Sequence, residues 1–343
     1  MGYRADKEKV ENKFKIIKRI SFGILLLCLV GLSIFSAFVP PNTWKYYVGL
    51  PNVGRRKAGE ARIHFLNVGQ GDCSLLELPD GKVMLIDGGD YRPSTQKTIL
   101  RYLNALKIDV IDYLVITHAD EDHCGSLDVV IKHKKVLNAY LPPTFPVKGT
   151  EYAEAYEALT REKSNLFYTA RTTDCLDGAY YEYTYALSFL SPYSLDVESV
   201  LGNPNAEYDE EVTNQLSAVT YFDYQGVGVL FMADTDFSVE DSLMRDDEIF
   251  DDFSTRNFDL SSTEILKVAH HGSKYSTSKT FLEYLHTETA VISCGANNPY
   301  GHPTNETLSR LTAVGADVWR TDIDGHVVVT ITKSGEYYVK KVK

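Results

Sequence analysis

The chain has 343 residues, 44% of them hydrophobic and 24% charged, which is enough for one large core or two ordinary ones and excludes a fibre or a disordered chain. Lys and Arg number 35 against 47 Asp and Glu, a net charge of −12, which argues against a broad basic surface for unspecific grip on nucleic acid. Five cysteines (Cys28, Cys73, Cys124, Cys175, Cys294) form no CxxC and no paired spacing, so zinc ribbons and dense disulfide scaffolds are excluded and stability must come from packing.

Residues 1–19 hold seven basic and three acidic side chains, a net +4 that leaves −16 for the rest. From Ile20 to Val39 twenty residues pass without a charge. At about 1.5 Å per helical residue that run crosses a hydrocarbon core of about 30 Å. Pro40 and Pro41 end it. A cleaved signal peptide is the competing reading, but its apolar region is usually about 7–15 residues and no clean A-x-A site follows here. A buried soluble helix would need a polar stripe, and Ser21, Ser33 and Ser36 do not make one. The expected organisation is a cytoplasmic basic tail at 1–19, a single-pass cell-membrane anchor at 20–41 and a linker at 42–60. The basic flank then places everything after Pro41 outside the cytoplasm.

A working domain is expected over 61–343. Short apolar runs alternate there with turns: IHFLNV (63–68), SLLEL (74–78), KVMLID (82–87), DYLVIT (112–117), LSAVTYF (216–222), VGVLFMA (227–233), EILKVA (264–269), AVISC (290–294) and HVVVTI (326–331). Their length and composition predict strands. Helical patterns follow at 94–106, 124–135, 279–286 and 304–314, the last capped by Gly315. The fold class is therefore α/β, sheets covered by helices. Residues 138–215 are acidic, turn-laden and rich in tyrosine, and read as a middle insertion or irregular segment. Tyr152, Tyr156, Tyr168, Tyr180, Tyr181, Tyr183 and Tyr185 are too many for so polar a stretch to bury, which makes them candidates to rim a cleft and stack on bases or sugars.

The densest chemistry is His118-Ala119-Asp120-Glu121-Asp122-His123, directly after a predicted strand. Imidazole and carboxylate are the groups that bind Zn²⁺ or Mn²⁺ at neutral pH. Other strand ends repeat the theme: Asp87 ends VMLID, Asp234 ends VGVLFMAD, and His270 and His271 end EILKVAHH. In layered α/β folds such ends line up along one edge and build the site there.

At these residues the chain resembles the metallo-β-lactamase superfamily, whose H-x-H-x-D-H signature is met as His118-x-Asp120-x-Asp122-His123, with Asp120 where most members have histidine. That variant, with FLNVGQGD (65–72), LIDGG (85–89), VAHHGSKYSTS (268–278), YGHP (300–303) and RTDIDG (320–325), is similar to the C-terminal hydrolase domain of the ComEC/Rec2 competence family. The resemblance implies a four-layer αββα sandwich holding two divalent metal ions, Zn or Mn. It gives His118 and Asp120 to one metal, Asp122 and His123 to the other, Asp234 as the bridge, and at least one of His270 and His271 as a further ligand. The superfamily's usual extra histidine has no clear counterpart: His133, the one histidine in that interval, lies in a helical pattern and reads as surface. Water, His302 or the second of the paired histidines fills the gap. Asp72 and Asp87 are expected to orient ligand imidazoles. Ser273, Lys274 and Ser276 are placed to meet a phosphate, or else form the turn.

Two metals suit phosphodiester hydrolysis, in which Asp122 ligates and orients the attacking water as the catalytic carboxylate. The leading expectation is a membrane-anchored, extracytoplasmic metal-dependent phosphodiesterase or DNase, held at the membrane by Ile20–Val39. With one span instead of that family's multi-helix channel, DNA import by this chain alone is not expected. Net charge is the difficulty: DNA would be repelled unless metals and a patch at Lys274, Arg310 and Arg320 offset it. The alternatives are a hydrolase of a cell-surface phosphodiester or small nucleotide, and a non-catalytic binding module with structural metals.

Overall fold

The uncharged run lies inside one long helix, α1 (Gly2–Phe38). Its stretch Asn12–Phe38, in which an 18-residue window reaches a mean hydropathy of 2.4, is long and apolar enough to cross a membrane. Paired prolines cannot continue a helix, and the chain turns into a short 3₁₀ segment, Pro41–Tyr46. There Trp44 Nε1 donates to Val39 O at 2.9 Å and closes the helix end. The structure, a computed structural model, describes residues 2–169, 178–180, 183–192, 210–249 and 260–342. It divides into two units, Met1–Gly49 and Leu50–Lys343.

In the second unit the strands of the described residues form two sheets. The first comprises β1 (Ala61–Phe65), β2 (Ser74–Glu77), β3 (Val83–Ile86), β4 (Val110–Val115), β5 (Lys135–Leu141), β6 (Asn165–Tyr168), β14 (His326–Ile331) and β15 (Tyr337–Val342), in the order β15-β14-β1-β2-β3-β4-β5-β6. The second comprises β7 (Gly178–Tyr180), β8 (Tyr183–Ser191), β9 (Val219–Tyr224), β10 (Val227–Phe231), β11 (Ile265–Lys267), β12 (Thr289–Ile292) and β13 (Asp317–Arg320), in the order β13-β12-β11-β10-β9-β8-β7. Strands β3 to β6 run parallel, as do β10 to β13.

Three apolar clusters show where each face is buried. One packs the first sheet against helices α2 (Pro93–Leu106), α4 (Leu127–His133) and α5 (Glu151–Glu162) through Leu75, Leu103, Val130 and Leu159. A second, with Ile63, Phe65, Phe222 and Val229, lies between the sheets. The third packs the second sheet against helices Phe237–Ile249, Lys279–Leu285 and Asn305–Ala313. Helix, sheet, sheet, helix: this is the expected four-layer αββα sandwich, in which both faces of each sheet are covered and central strands read as continuous apolar runs.

All nine expected strands are present, but six others, β5, β6, β7, β8, β13 and β15, did not stand out as apolar runs. Three of them, β6, β7 and β15, carry tyrosine, lysine or asparagine at sheet edges, where one face meets water. The tyrosine-rich segment supplies β6, β7, β8 and the end of β5, so both sheets extend into it. The helix expected at 124–135 is split into α3 (Glu121–Cys124) and α4. Of the tyrosines expected at a cleft, Tyr185 is buried between the sheets, and Tyr156 packs on the first core. The side chains of Tyr180, Tyr181 and Tyr183 lie outside the described residues.

Candidate metal centre

Six strands end on one edge of the sandwich and hand the chain to the site. The segments after β1, β3 and β4 carry Asp72, Asp87 and His118, and those after β10, β11 and β12 carry Asp234, His271 and Ser293. Gly71 makes the first approach possible: at φ +139° and against the Asp122 backbone, it leaves no room for a Cβ. Asp72 N then donates to Asp122 O at 3.1 Å and joins two ligand-bearing turns. After β4 the chain turns at Asp120 into α3, and the His118 and His123 rings come to lie 4.0 Å apart. His270 and His271 both adopt left-handed backbone, φ +46° and +53°, in the turn Ala269–Gly272. Strain of this kind persists only where surroundings enforce it.

Three imidazoles share one arrangement. His118 Nδ1 donates to Thr117 Oγ1 at 3.0 Å, and that hydroxyl donates to Asp87 Oδ2 at 2.7 Å. His123 Nδ1 donates to Asp87 Oδ2 at 2.8 Å, and His271 Nδ1 donates to Ser293 O at 2.9 Å. These partners assign the tautomers and leave three Nε2 lone pairs facing inward. All three Nε2 atoms are buried without a hydrogen-bond partner, and so are Asp72 Oδ1 and Asp234 Oδ1. An unsatisfied buried polar atom costs roughly 1–3 kcal/mol, so a cluster of them calls for a cation to accept their lone pairs. Three triplets have ligand atoms within 4.8 Å of one another: His118, His123 and Asp234; Asp122, His123 and His271; Asp72, Asp234 and His271. Imidazole and carboxylate together are the donor set of a divalent transition metal, and the residues fit that group.

Without a metal, protons are favoured on two of the three imidazoles, His123 and His271. Burial opposes charge on His123, but Asp234 and Asp87 outweigh it and raise its pKa well above the usual histidine range. Burial likewise opposes charge on His271, yet Asp234 and Asp122 raise its pKa to about 9. His118 goes the other way: burial, then the neighbouring His123, lowers it to about 4. The carboxyl groups of Asp122 and Asp234, despite burial, are held below the usual range by His271 and His123. Imidazolium and carboxylate charges thus offset one another in the cluster when no metal is bound.

The other candidates are placed more loosely. Asp120 Oδ2 lies 3.8 Å from His118 Nε2. His270 is 32% exposed at its side chain, with Nε2 3.7 Å from Asp234 Oδ2. The ring of His302 lies 5.6 Å from that of His270, and its buried Nδ1 has no hydrogen-bond partner. Asp72 lies 3.9 Å from His271 Nδ1, whose proton goes to Ser293, and its closer partner is Lys267. Ser276 Oγ donates to Ala269 O at 3.1 Å, and Ser273 Oγ accepts from Tyr275 N at 3.3 Å, so both hydroxyls serve the turn. Lys274 Nζ sits 4.9 Å from the Tyr275 ring centroid. His133 is exposed on α4 and its Nδ1 donates to Val129 O.

Several contributors escaped the sequence reading. Lys267 is buried and donates to Asp72 Oδ2 at 2.7 Å and Val268 O at 3.1 Å. The one local signal was a lysine inside an apolar strand. Glu240, fully buried on helix Phe237–Ile249, accepts from Thr277 N and from Ser278 N at 2.8 Å, and braces the turn after the paired histidines. Arg310 donates to Ser276 O at 2.8 Å and Lys274 O at 3.2 Å, and Arg320 pairs with Asp322 at 2.7 Å. Those two guanidinium groups, expected in a phosphate-facing patch, are half-buried and bond to the protein's own carbonyls and to Asp322.

The family model described as Metallo-beta-lactamase superfamily matches residues 66–296. The chain belongs to this superfamily. Within it, the chain resembles the ComEC/Rec2 family. It is 27% identical over 285 residues to ComE operon protein 3 of Bacillus subtilis (strain 168), covering 79% of this chain and 33% of that protein. It is 26% identical to Recombination protein 2 of Haemophilus influenzae over 94% of this chain and 33% of the relative. Competence protein ComA of Neisseria gonorrhoeae is 28% identical over 80% of this chain and 33% of its own length. The chain thus spans about a third of the length of these relatives. Metallo-β-lactamase-fold proteins are usually metal-dependent hydrolases, and the buried Nε2 and carboxylate cluster sits within the matched residues.

Proposed function

We propose that this chain is a membrane-anchored phosphodiesterase that takes two divalent metal ions, Mn or Zn, and cleaves DNA strands outside the cytoplasm. The observation that carries the reading is the set of inward, unpartnered buried atoms on His118, His123, His271, Asp234 and Asp72. His118 and Asp120 would hold one ion, Asp122, His123 and His271 the other, with Asp234 shared. Bound there, the ions would activate a water and neutralise charge on a phosphoryl centre. The chain's own residues do the positioning. Asp87 and Thr117 lock His118 and His123, Ser293 locks His271, and burial keeps His118 neutral as a ligand must be. Asp122 lies at the mouth, 31% exposed and 3.2 Å from His271 Nε2, able to accept a proton from a water on the cleft side. DNA as substrate is supported by the competence and recombination proteins among the relatives. The helix Asn12–Phe38 with its basic flank supports the anchor and the orientation.

The test is metal analysis of the full chain in detergent together with hydrolysis of single-stranded DNA and of methyl p-nitrophenyl phosphate with Mn²⁺ or Zn²⁺ supplied. Close to two bound ions and turnover of either substrate are expected. Metal uptake with no cleavage of any phosphodiester would leave a binding module.

A further inference from the structure

The cleft over the metal centre has walls that ester hydrolysis alone does not require. Its volume is 520 Å³, within the range of small-ligand sites. Asp120, Glu121, Asp122, Glu151 and Asp234 line it, and none of its described lining residues is a lysine or arginine. Phe145, Val147 and Tyr300 line it as well, and they are 37%, 56% and 67% exposed.

These apolar side chains come from one loop of each sheet. Phe145 and Val147 follow β5 of the first sheet, and Tyr300 follows β12 of the second. Both loops are held in place. Asn298 Oδ1 accepts from Tyr300 N at 3.2 Å and from His302 N at 3.0 Å, while its amide donates to Gly295 O at 2.9 Å. The Tyr300 ring stacks on His302, with centroids 6.0 Å apart and planes at 28°. On the other loop Thr150 Oγ1 donates to Val147 O at 2.8 Å and accepts from Ala153 N at 3.2 Å, capping α5.

A nucleic-acid strand can be held by cations along its phosphates or by aromatic faces under its bases. The described lining of this cleft lacks the first and offers the second beside the metal cluster. We propose that Tyr300 and Phe145 form a stacking site for one unpaired nucleobase, next to the phosphate that the metal centre takes. The proposal rests on the phosphodiesterase reading for its substrate. A paired, stacked base hides its faces, so the site favours single-stranded or frayed ends over intact duplex.

The measurement is kcat/KM of the full chain in detergent, loaded with Mn²⁺, for two p-nitrophenyl esters. One is of thymidine 5′-phosphate and the other of its abasic 2-deoxyribose 5-phosphate counterpart. The preference for the thymidine ester should fall about tenfold in Tyr300→Ala and in Phe145→Ala, the scale of one lost base stack. Tyr300→Phe should restore it, and metal content at the wild-type level checks folding. A preference that survives both alanine substitutions overturns the stacking site, and so does an equal wild-type rate on the two esters. Should neither ester be hydrolysed, the phosphodiesterase reading fails. Anisotropy of labelled oligo(dT) against an abasic oligomer then decides the stacking site by itself: it is kept if Tyr300→Ala removes the discrimination and lost if it does not.

Discussion

Asp234 faces three imidazoles, His123 at 3.2 Å, His271 at 3.6 Å and His270 at 3.7 Å. Removing its carboxylate takes away the group that two ligand triplets share. Asp234→Ala should therefore lose more than one metal ion per chain by elemental analysis, and a full complement would remove Asp234 from the bridge. Asp122→Asn should lower phosphodiester hydrolysis by at least about 10²-fold with the circular dichroism spectrum kept. His133→Ala, altering an exposed residue of α4, should leave turnover at the wild-type level. Lys267 presents a different case, because its ammonium is the nearest compensating charge for buried Asp72. Lys267→Met should cost about 3–5 kcal/mol in unfolding free energy, the size of a broken buried pair. Adding Asp72→Asn to it should recover part of that loss, and a second substitution that costs as much again would show that the two do not act as a pair.

At the scale of elements, the turn bearing His270 and His271 is clamped from two helices. Glu240 on Phe237–Ile249 accepts the Thr277 and Ser278 amides, and Thr307 on Asn305–Ala313 donates its hydroxyl to Ser273 O at 2.7 Å. Burial pushes the Glu240 carboxyl from 4.5 up to about 7, against the two amides that favour its charge. The folded state thus holds that proton more tightly than the unfolded chain does. Its contribution is complete below about pH 4.5 and is lost as pH rises toward 7, at about 1.4 kcal/mol per pH unit. Glu240→Gln does not titrate, so melting temperatures of wild type and variant, compared at pH 5 and pH 8, should show the wild-type advantage shrinking at the higher pH. An advantage that grows with pH would mean that Glu240 is ionised in the fold.

For the whole molecule, net charge and cleft lining lead to the same expectation. Cations that neutralise phosphates make binding steeply salt-dependent, with a slope of about −0.7 per contact for single strands. The described cleft lining contains no lysine or arginine, so the salt slope of kcat/KM on an oligonucleotide should be shallower than about −1.5, fewer than about two such contacts. A steep slope would place a basic track elsewhere on the chain. If the anchor and its orientation are as proposed, a reporter fused after Lys343 should report from outside the cytoplasm, and the protein should resist high-salt extraction. Local patterns in the sequence already determined much of this protein: the uncharged twenty-residue run, nine apolar strands, and a turn with four metal-binding side chains between His118 and His123. Those features depend on neighbours a few residues away, which periodicity and turn chemistry expose. Tertiary structure alone decided which lone pairs face inward, that Lys267 meets Asp72 from 195 residues away, that Glu240 braces a turn 37 residues on, and that Phe145 and Tyr300 share one cleft. The physical reason is that burial and partnering are set by strand order: β1 and β11, or β5 and β12, belong to different sheets and meet only when those sheets pack.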